Sequence, residues 1–207
     1  MSKINIIDHS LVKHSLTVLR NKKTKTEMFR RHTATVSQIL IVEVLKNIST
    51  KEIIVETPIV STTGHKVLES ILFVPVLRAG ISMLFSAMDF LPWAAVGFIG
   101  LERDENTAIA REYYQNLPKY LHEKYVLILD PMLATGGSLV DTIAAVKQKQ
   151  PKRISAVCIV GAPAGIEKLK KEHPDVDLYI ASIDSHLDNN KFIVPGLGDF
   201  GDRYFGT

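Results

Sequence analysis

Between Ser70 and Ile183 the chain is a succession of short, predominantly apolar runs: Ile71–Leu77, Ala94–Leu101, Tyr125–Leu129, Ile154–Val160 and Leu178–Ile183. Segments able to form helices, Ile81–Phe90, Leu139–Lys149 and Ile166–Glu172, separate most of them. Strand-length runs that are apolar on both faces and alternate with helices belong to a parallel sheet covered on both sides. The expected class is therefore α/β, an open and mainly parallel sheet flanked by helices. Such sheets bind ligands in the crevice beyond the carboxyl ends of their strands. The residues that follow each run are the ones to inspect.

The rest of the sequence narrows the class further. With 207 residues, 46% of them hydrophobic, the chain is expected to form one domain over 1–207. Its 25 basic and 22 acidic residues give a net charge of +3, too balanced for a disordered tail or for binding nucleic acid by charge alone. No apolar run approaches the roughly 20 residues that span a bilayer, and Met1–Ser10 carries no basic segment followed by an apolar one. A soluble, cytoplasmic protein with no membrane or nucleic-acid partner is expected. The single cysteine, Cys158, excludes a disulfide within the chain and a Cys-rich zinc site, and inside an apolar strand it reads as a buried, inert thiol. The seven histidines show no metal-ligand spacing and read as surface or cap residues. The first half-hundred residues read as helical, with a capping box at Thr24–Glu27. Glu52–Pro58 and Ser61–Val67 then read as a hairpin, the second run carrying a Thr63-Gly64 turn signal.

Among the strand ends, Asp130 to Ser138 is the most informative. Asp130 ends an apolar strand, where its carboxylate can accept hydrogen bonds from sugar hydroxyls. Thr135, Gly136, Gly137 and Ser138 then open into a helix whose unpaired amides and positive dipole end form an anion site. The Lys of the triphosphate-binding loop is absent. An ordinary strand–turn–helix connection is the competing reading of the two glycines. Val76-Leu77-Arg78-Ala79-Gly80 offers a guanidinium that can fork onto phosphate oxygens; alone, Arg78 reads better as a surface arginine paired with a carboxylate. Glu102 to Thr107 reads either as solvated loop or as a flap carrying Arg103 over a polyphosphate. Phe192 to Thr207 is rich in glycine and aromatic residues, unlike a frayed terminus, and is expected to fold back, either to hold a flat ligand or merely to pack.

Together with Leu11–His14 and His173–Asp177, these segments resemble the uracil phosphoribosyltransferase family. The matches are Val74–Gly80, Gly100–Glu105, Asp130–Ser138 and Val194 to the C-terminus, in the family's order over nearly the whole chain. The resemblance implies a type I phosphoribosyltransferase-like sheet. It also implies a small hood built from N- and C-terminal segments, and a β-hairpin arm. It implies transfer of the 5-phosphoribosyl group from 5-phospho-α-D-ribose 1-diphosphate to uracil, giving UMP and diphosphate with Mg²⁺ as cofactor. In that scheme Asp130 binds ribose hydroxyls and Ala134, Thr135, Gly136, Gly137 and Ser138 the 5′-phosphate. Pro131, Met132 and Leu133 complete the donor site, Arg78 and Arg103 hold the diphosphate, and Asp199 faces the ribose-diphosphate. Ile193, Gly198, Asp199 and Phe200 surround uracil, mostly through backbone atoms. Arg103 and Asp199 are the candidate catalytic residues. The metal is held mainly through the diphosphate, with Asp199 as the candidate protein ligand. Family members form homodimers or larger assemblies, and some are activated by GTP, for which no residue here can be named.

Three positions depart from the family's common pattern. Ser10 stands where Pro often follows His9, Phe192 where Tyr is common, and Phe200 where Ala is frequent. If the Phe200 ring faced the ligand, the base pocket would be smaller. The alternative function on the same scaffold is a nucleotide-sensing RNA-binding regulator, whose footprint would be a basic face. Lys22, Lys23, Lys25, Arg30 and Arg31 form the clearest basic cluster, and it reads as a solvated helix face.

Overall fold

The computed structural model describes residues 2–103 and 110–207. A short strand β1 (Ile4–Ile6) precedes helices α1 (Ser10–Arg20) and α2 (Thr26–Leu45) and strands β2 (Thr50–Glu56) and β3 (Ser61–Val67). The sheet-forming region comprises β4 (Ser70–Pro75), α3 (Ile81–Phe90), β5 (Ala95–Val96), β6 (Phe98–Arg103), β7 (Ala110–Asn116), β8 (Lys124–Leu129), β9 (Met132–Leu133), α4 (Gly137–Lys147), β10 (Arg153–Gly161), α5 (Pro163–Glu172) and β11 (Asp177–Ile183). β12 (His186–Leu187), β13 (Ile193–Val194) and α6 (Phe200–Phe205) complete the chain.

Strands β1, β11, β10, β8, β4 and β5 lie side by side in that order, every pair parallel, and β9 adds to β10 to make seven. Alternation along each strand sends side chains to two cores. Ile71, Phe73, Tyr125, Leu127, Leu129, Val157 and Ile159 join residues of α1, α2, α3 and α6 on one face. Leu72, Val74, Val126, Ile128, Ala156, Cys158, Leu178 and Ile180 join α4 and α5 on the other. This explains why the runs show no polar alternation: neither face meets water. Cys158 is fully buried, and burial pushes its thiol well above the ordinary value.

Four local expectations are corrected. The capping box does not form: α2 starts after Lys25, which makes no side-chain cap, and Thr24 Oγ1 donates instead to Val18 O (2.6 Å) across the α1–α2 turn. The hairpin exists, but it turns at 57–60, where Thr57 Oγ1 accepts from the Ile59 and Val60 N–H groups. Gly64 pairs with Ile53 inside β3, where a Cβ would lie 2.8 Å from Val55 Cγ2; the glycine marks side-chain crowding rather than a turn. The run Ala94–Leu101 is not one strand. It breaks at Gly97, whose N–H donates to Phe73 O (2.9 Å), and β6 leaves to pair antiparallel with β7. Nor is the basic cluster wholly solvated, since Arg30 Nε donates to Tyr204 O (2.8 Å).

The terminal segments build a small hood. β12 and β13 pair antiparallel, and α6 packs against α2, with Phe200 edge-on to Phe29 at a centroid distance of 5.1 Å. Arg203 Nη1 donates to Leu19 O and Leu197 O, both 2.5 Å, and Nη2 to Asn21 O (2.7 Å). The bonds to Leu19 O and Asn21 O satisfy carbonyls left open at the C-terminal end of α1, and the bond to Leu197 O ties the C-terminal turn to it. His9 caps the other end, its Nδ1 accepting from Leu11 N–H (3.1 Å), as expected of a cap histidine. Among the described residues no helix is long and apolar enough to cross a membrane.

Candidate active site

The wiring of the sheet opens the site. β4 and β8 are neighbours, yet the chain leaving β4 passes through α3 to β5 on one side, while the chain leaving β8 passes through α4 to β10 on the other. Connections that diverge in this way leave a crevice at the strands' carboxyl ends. A cleft of about 230 Å³ lies there, lined by Val76 to Ala79 from one strand end and by Asp130, Met132 and Ala134 to Leu139 from the other.

The β8 end is shaped by one change of pairing. After Asp130 N–H donates to Val157 O (3.1 Å), Pro131 O accepts from both Ile159 and Val160 N–H, and β9 pairs again further along β10. The slip leaves Asp130 at the cleft wall with only 8% of its surface exposed. Met132 N–H donates to Oδ1 (3.3 Å), a long bond that leaves the carboxylate's other acceptor positions open. Burial pushes the carboxyl up to about 7, against a smaller downward pull from that bond. A buried carboxylate held so lightly is suited to receive hydroxyl donors or a cation.

The next turn presents amides. Gly136 is left-handed (φ +79°) and starts α4 without a side-chain cap. Its carbonyl accepts from Val140 N–H, so the N–H groups of residues 137–139 are the first-turn donors and face the cleft end of the helix. A Cβ on Gly136 would lie 2.9 Å from Gly165 O, so glycine is required both by backbone angle and by space. On the other wall, Gly80 lets the 76–80 turn close on β8: a Cβ there would lie 2.3 Å from Leu129 O. Arg78 is exposed at the rim, where its guanidinium is free to meet a ligand's phosphate oxygens. The Leu77–Arg78 peptide is cis.

Arg78 and the Asp130–Ser138 segment thus share one cleft. Pro131 and Leu133 support it from beneath through β10 rather than lining it. The C-terminal candidates are placed apart from it, since no residue of 193–200 lines this cleft. Ile193 is buried in the hood, Gly198 takes φ +79°, and Asp199 Oδ1 accepts from Asp202 N–H (2.9 Å), capping α6. The Phe200 ring points into the core against Phe29 and Tyr204, so only its backbone is available to a ligand. Arg103 ends β6, but its side chain, like the loop 104–109, lies outside the described residues.

Sequence reasoning passed over Asp184, which follows the β11 run and therefore stood at a strand end. It is buried and paired with Arg20 (2.6 Å) beneath the C-terminal turn. The rule that singled out Asp130 applies to it equally, but no glycine-rich motif drew attention there.

Comparison with known proteins gives this geometry its context. The sequence model of the family described as uracil phosphoribosyltransferase matches residues 6–207. A protein of Dictyoglomus turgidum named uracil phosphoribosyltransferase is 48% identical over 98% of both chains, and one of Clostridium beijerinckii with the same name is 44% identical over the full length of both. A solved structure from Aquifex aeolicus is 36% identical and superposes with a TM-score of 0.90 over 99% of this chain and 98% of the other. A hypoxanthine phosphoribosyltransferase from Trypanosoma cruzi, 12% identical with a TM-score of 0.53 over 76% of each chain, shares the fold alone.

Proposed function

The chain belongs to the uracil phosphoribosyltransferase family, and on that footing we propose how its cleft serves the family's reaction. The enzyme is a pentosyltransferase that moves the 5-phosphoribosyl group from 5-phospho-α-D-ribose 1-diphosphate to uracil, yielding UMP and diphosphate. The observation that carries the assignment of roles is the buried, lightly bonded Asp130 carboxylate beside the open amides of α4, with Arg78 across the same cleft.

In this reading the first turn of α4 holds the 5′-phosphate with the hydroxyls of Thr135 and Ser138, and Asp130 accepts from the ribose hydroxyls. Arg78 and Arg103 hold the diphosphate, and backbone groups of 193–200 orient the base. Glycosyl transfer builds oxocarbenium character on the sugar and negative charge on the leaving diphosphate. The protein's work is to align the incoming ring nitrogen and to place donors where that charge collects.

Magnesium, implied by the family, fits this cleft, because the ion is commonly held by one or two carboxylates with substrate phosphates completing its shell. The diphosphate would carry most of it, with the open oxygens of Asp130 available in the cleft; Asp199, which caps α6 outside the cleft lining, would be a second protein ligand only by approach of the C-terminal segment. When bound, it supplies positive charge that steadies the departing diphosphate.

We further read the protein as a cytoplasmic enzyme of pyrimidine salvage. A homodimer or larger homo-oligomer is supported by exposed apolar side chains on the hairpin and near α3, Ile54, Ile59, Val60, Phe85 and Trp93. GTP activation, known in some members, is tested by adding GTP to the assay below. Uracil, cytosine, hypoxanthine and orotate are each supplied with donor and Mg²⁺ while diphosphate release is followed. Uracil alone should support turnover. A backbone pair matched to O4 and N3–H of uracil meets cytosine donor to donor and acceptor to acceptor, a mismatch able to reject it by about 10⁴. Comparable rates on the two bases would overturn the backbone-reading site.

A further inference from the structure

The Asp184 carboxylate, buried at the end of β11, is the hub of a cluster the reaction scheme above does not use. Arg20, from the last turn of α1, grips it with both nitrogens: Nη1 donates to Oδ2 (2.7 Å) and Nη2 to Oδ1 (2.6 Å). Ser182 Oγ accepts from Arg20 Nη2 (3.1 Å) and donates to Asp184 Oδ1 (3.0 Å). The same two side chains hold both backbone groups of Gly196. Its N–H donates to Asp184 Oδ2 (2.8 Å) and its carbonyl accepts from Arg20 Nη1 (2.7 Å). Gly196 (φ +56°) folds so tightly over Ile193 that a Cβ would lie 2.0 Å from Ile193 O. Burial pushes the Asp184 carboxyl up, but the bonds from Arg20, Gly196 and Ser182 more than offset it and keep it below the usual carboxylate range.

Holding one residue by its N–H and its carbonyl fixes the orientation of two successive peptide planes. A segment that recognises a ligand through backbone atoms depends on that orientation, since a misplacement of about 1 Å can cost on the order of a hundredfold. Arg203 secures the neighbouring Leu197 carbonyl, but among the described residues it is Arg20 and Asp184 that fix Gly196 on both sides. We propose that the Arg20–Asp184 pair is a positioning device for uracil, setting the backbone of the 193–198 turn without touching the base itself. The proposal rests on the reading that 193–200 receives uracil.

The test joins steady-state kinetics to hydrogen exchange. In the unaltered enzyme, amides of 193–200 should be protected by UMP more than by ribose 5-phosphate. Lysine cannot reproduce the forked grip of arginine. Arg20→Lys should therefore raise the KM for uracil about ten- to a hundredfold, with the KM for the donor little changed. Ser182→Ala, which removes one supporting hydroxyl and is the gentler change if Arg20→Lys folds poorly, should move uracil KM in the same direction by a smaller factor. A pair that only holds the fold together would shift both KM values alike or lower the active fraction alone, and either result overturns the proposal while leaving the uracil site intact. Absence of UMP-specific protection in the unaltered enzyme overturns the site reading, and the proposal with it.

Discussion

The Asp130 carboxyl is pushed up to about 7 by burial, whereas in an unfolded chain a carboxyl of this kind ionises near 3.9. Between those values the folded protein holds a proton that the unfolded chain has lost, so this group's contribution to stability falls as pH rises and levels off above about 7. Asn in its place carries no such dependence. Asp130→Asn should therefore stabilise the unliganded enzyme at pH 8, by up to about 4 kcal/mol, and by much less at pH 5. Urea unfolding at the two pH values measures the difference, and an equal effect at both would deny that the carboxyl is burdened by burial. The same substitution should nearly abolish activity, because an amide is a poorer acceptor for ribose hydroxyls than a carboxylate. Space is as decisive as charge at Gly80, where all three of the nearest atoms to an added Cβ belong to backbone. Gly80→Ala should cost about 1–3 kcal/mol or more in thermal unfolding and weaken donor binding, since the Arg78 turn must shift.

Elements were legible in the sequence where one interaction dominates. The strands β4, β8, β10 and β11 were readable because both faces are buried, and α3 was found at its observed limits, Ile81–Phe90. Where a tertiary partner competes with a local motif, the local motif lost. Thr24 caps nothing because its hydroxyl reaches back to Val18, and Gly64 turns nothing because it relieves Val55. The ladder of β6 with β7 carried no signal strong enough to separate it from the adjoining run. Within the site, Asp130 to Ser138 could be read because one contiguous stretch supplies carboxylate, glycines and helix start. The Arg20–Asp184 pair spans 164 residues and could not. For α6, the buried Phe200 ring predicts a stability cost of about 3–5 kcal/mol for Phe200→Ala. Discrimination between uracil and its ring-substituted analogues should hold, as the ring does not face the ligand; a changed preference would place it in the pocket after all.

For the whole molecule, ligands that occupy the cleft bind the folded state only, and saturation at a hundred times Kd adds about 2.7 kcal/mol of stability. Ribose 5-phosphate and 5-phospho-α-D-ribose 1-diphosphate should both raise the melting temperature. Arg78→Ala should diminish the second effect and spare the first, with a ten- to a hundredfold loss in donor use, about what one charge-assisted phosphate contact contributes. Thermal shift with each ligand separates the cases, and an equal loss for both would remove Arg78 from the diphosphate end.

Because the chain turns opposite ways after β4 and β8, the cleft proposed as the donor cradle is written between residues 76 and 139, well before the C-terminal part of the hood begins. On that reading, acceptor choice should be exchangeable by transplanting the tail of a relative, leaving the cradle untouched. The seam of such a chimera should fall ahead of Ser182 and carry the matching residue at position 20, since a graft cut after Asp184 would inherit a turn without its moorings.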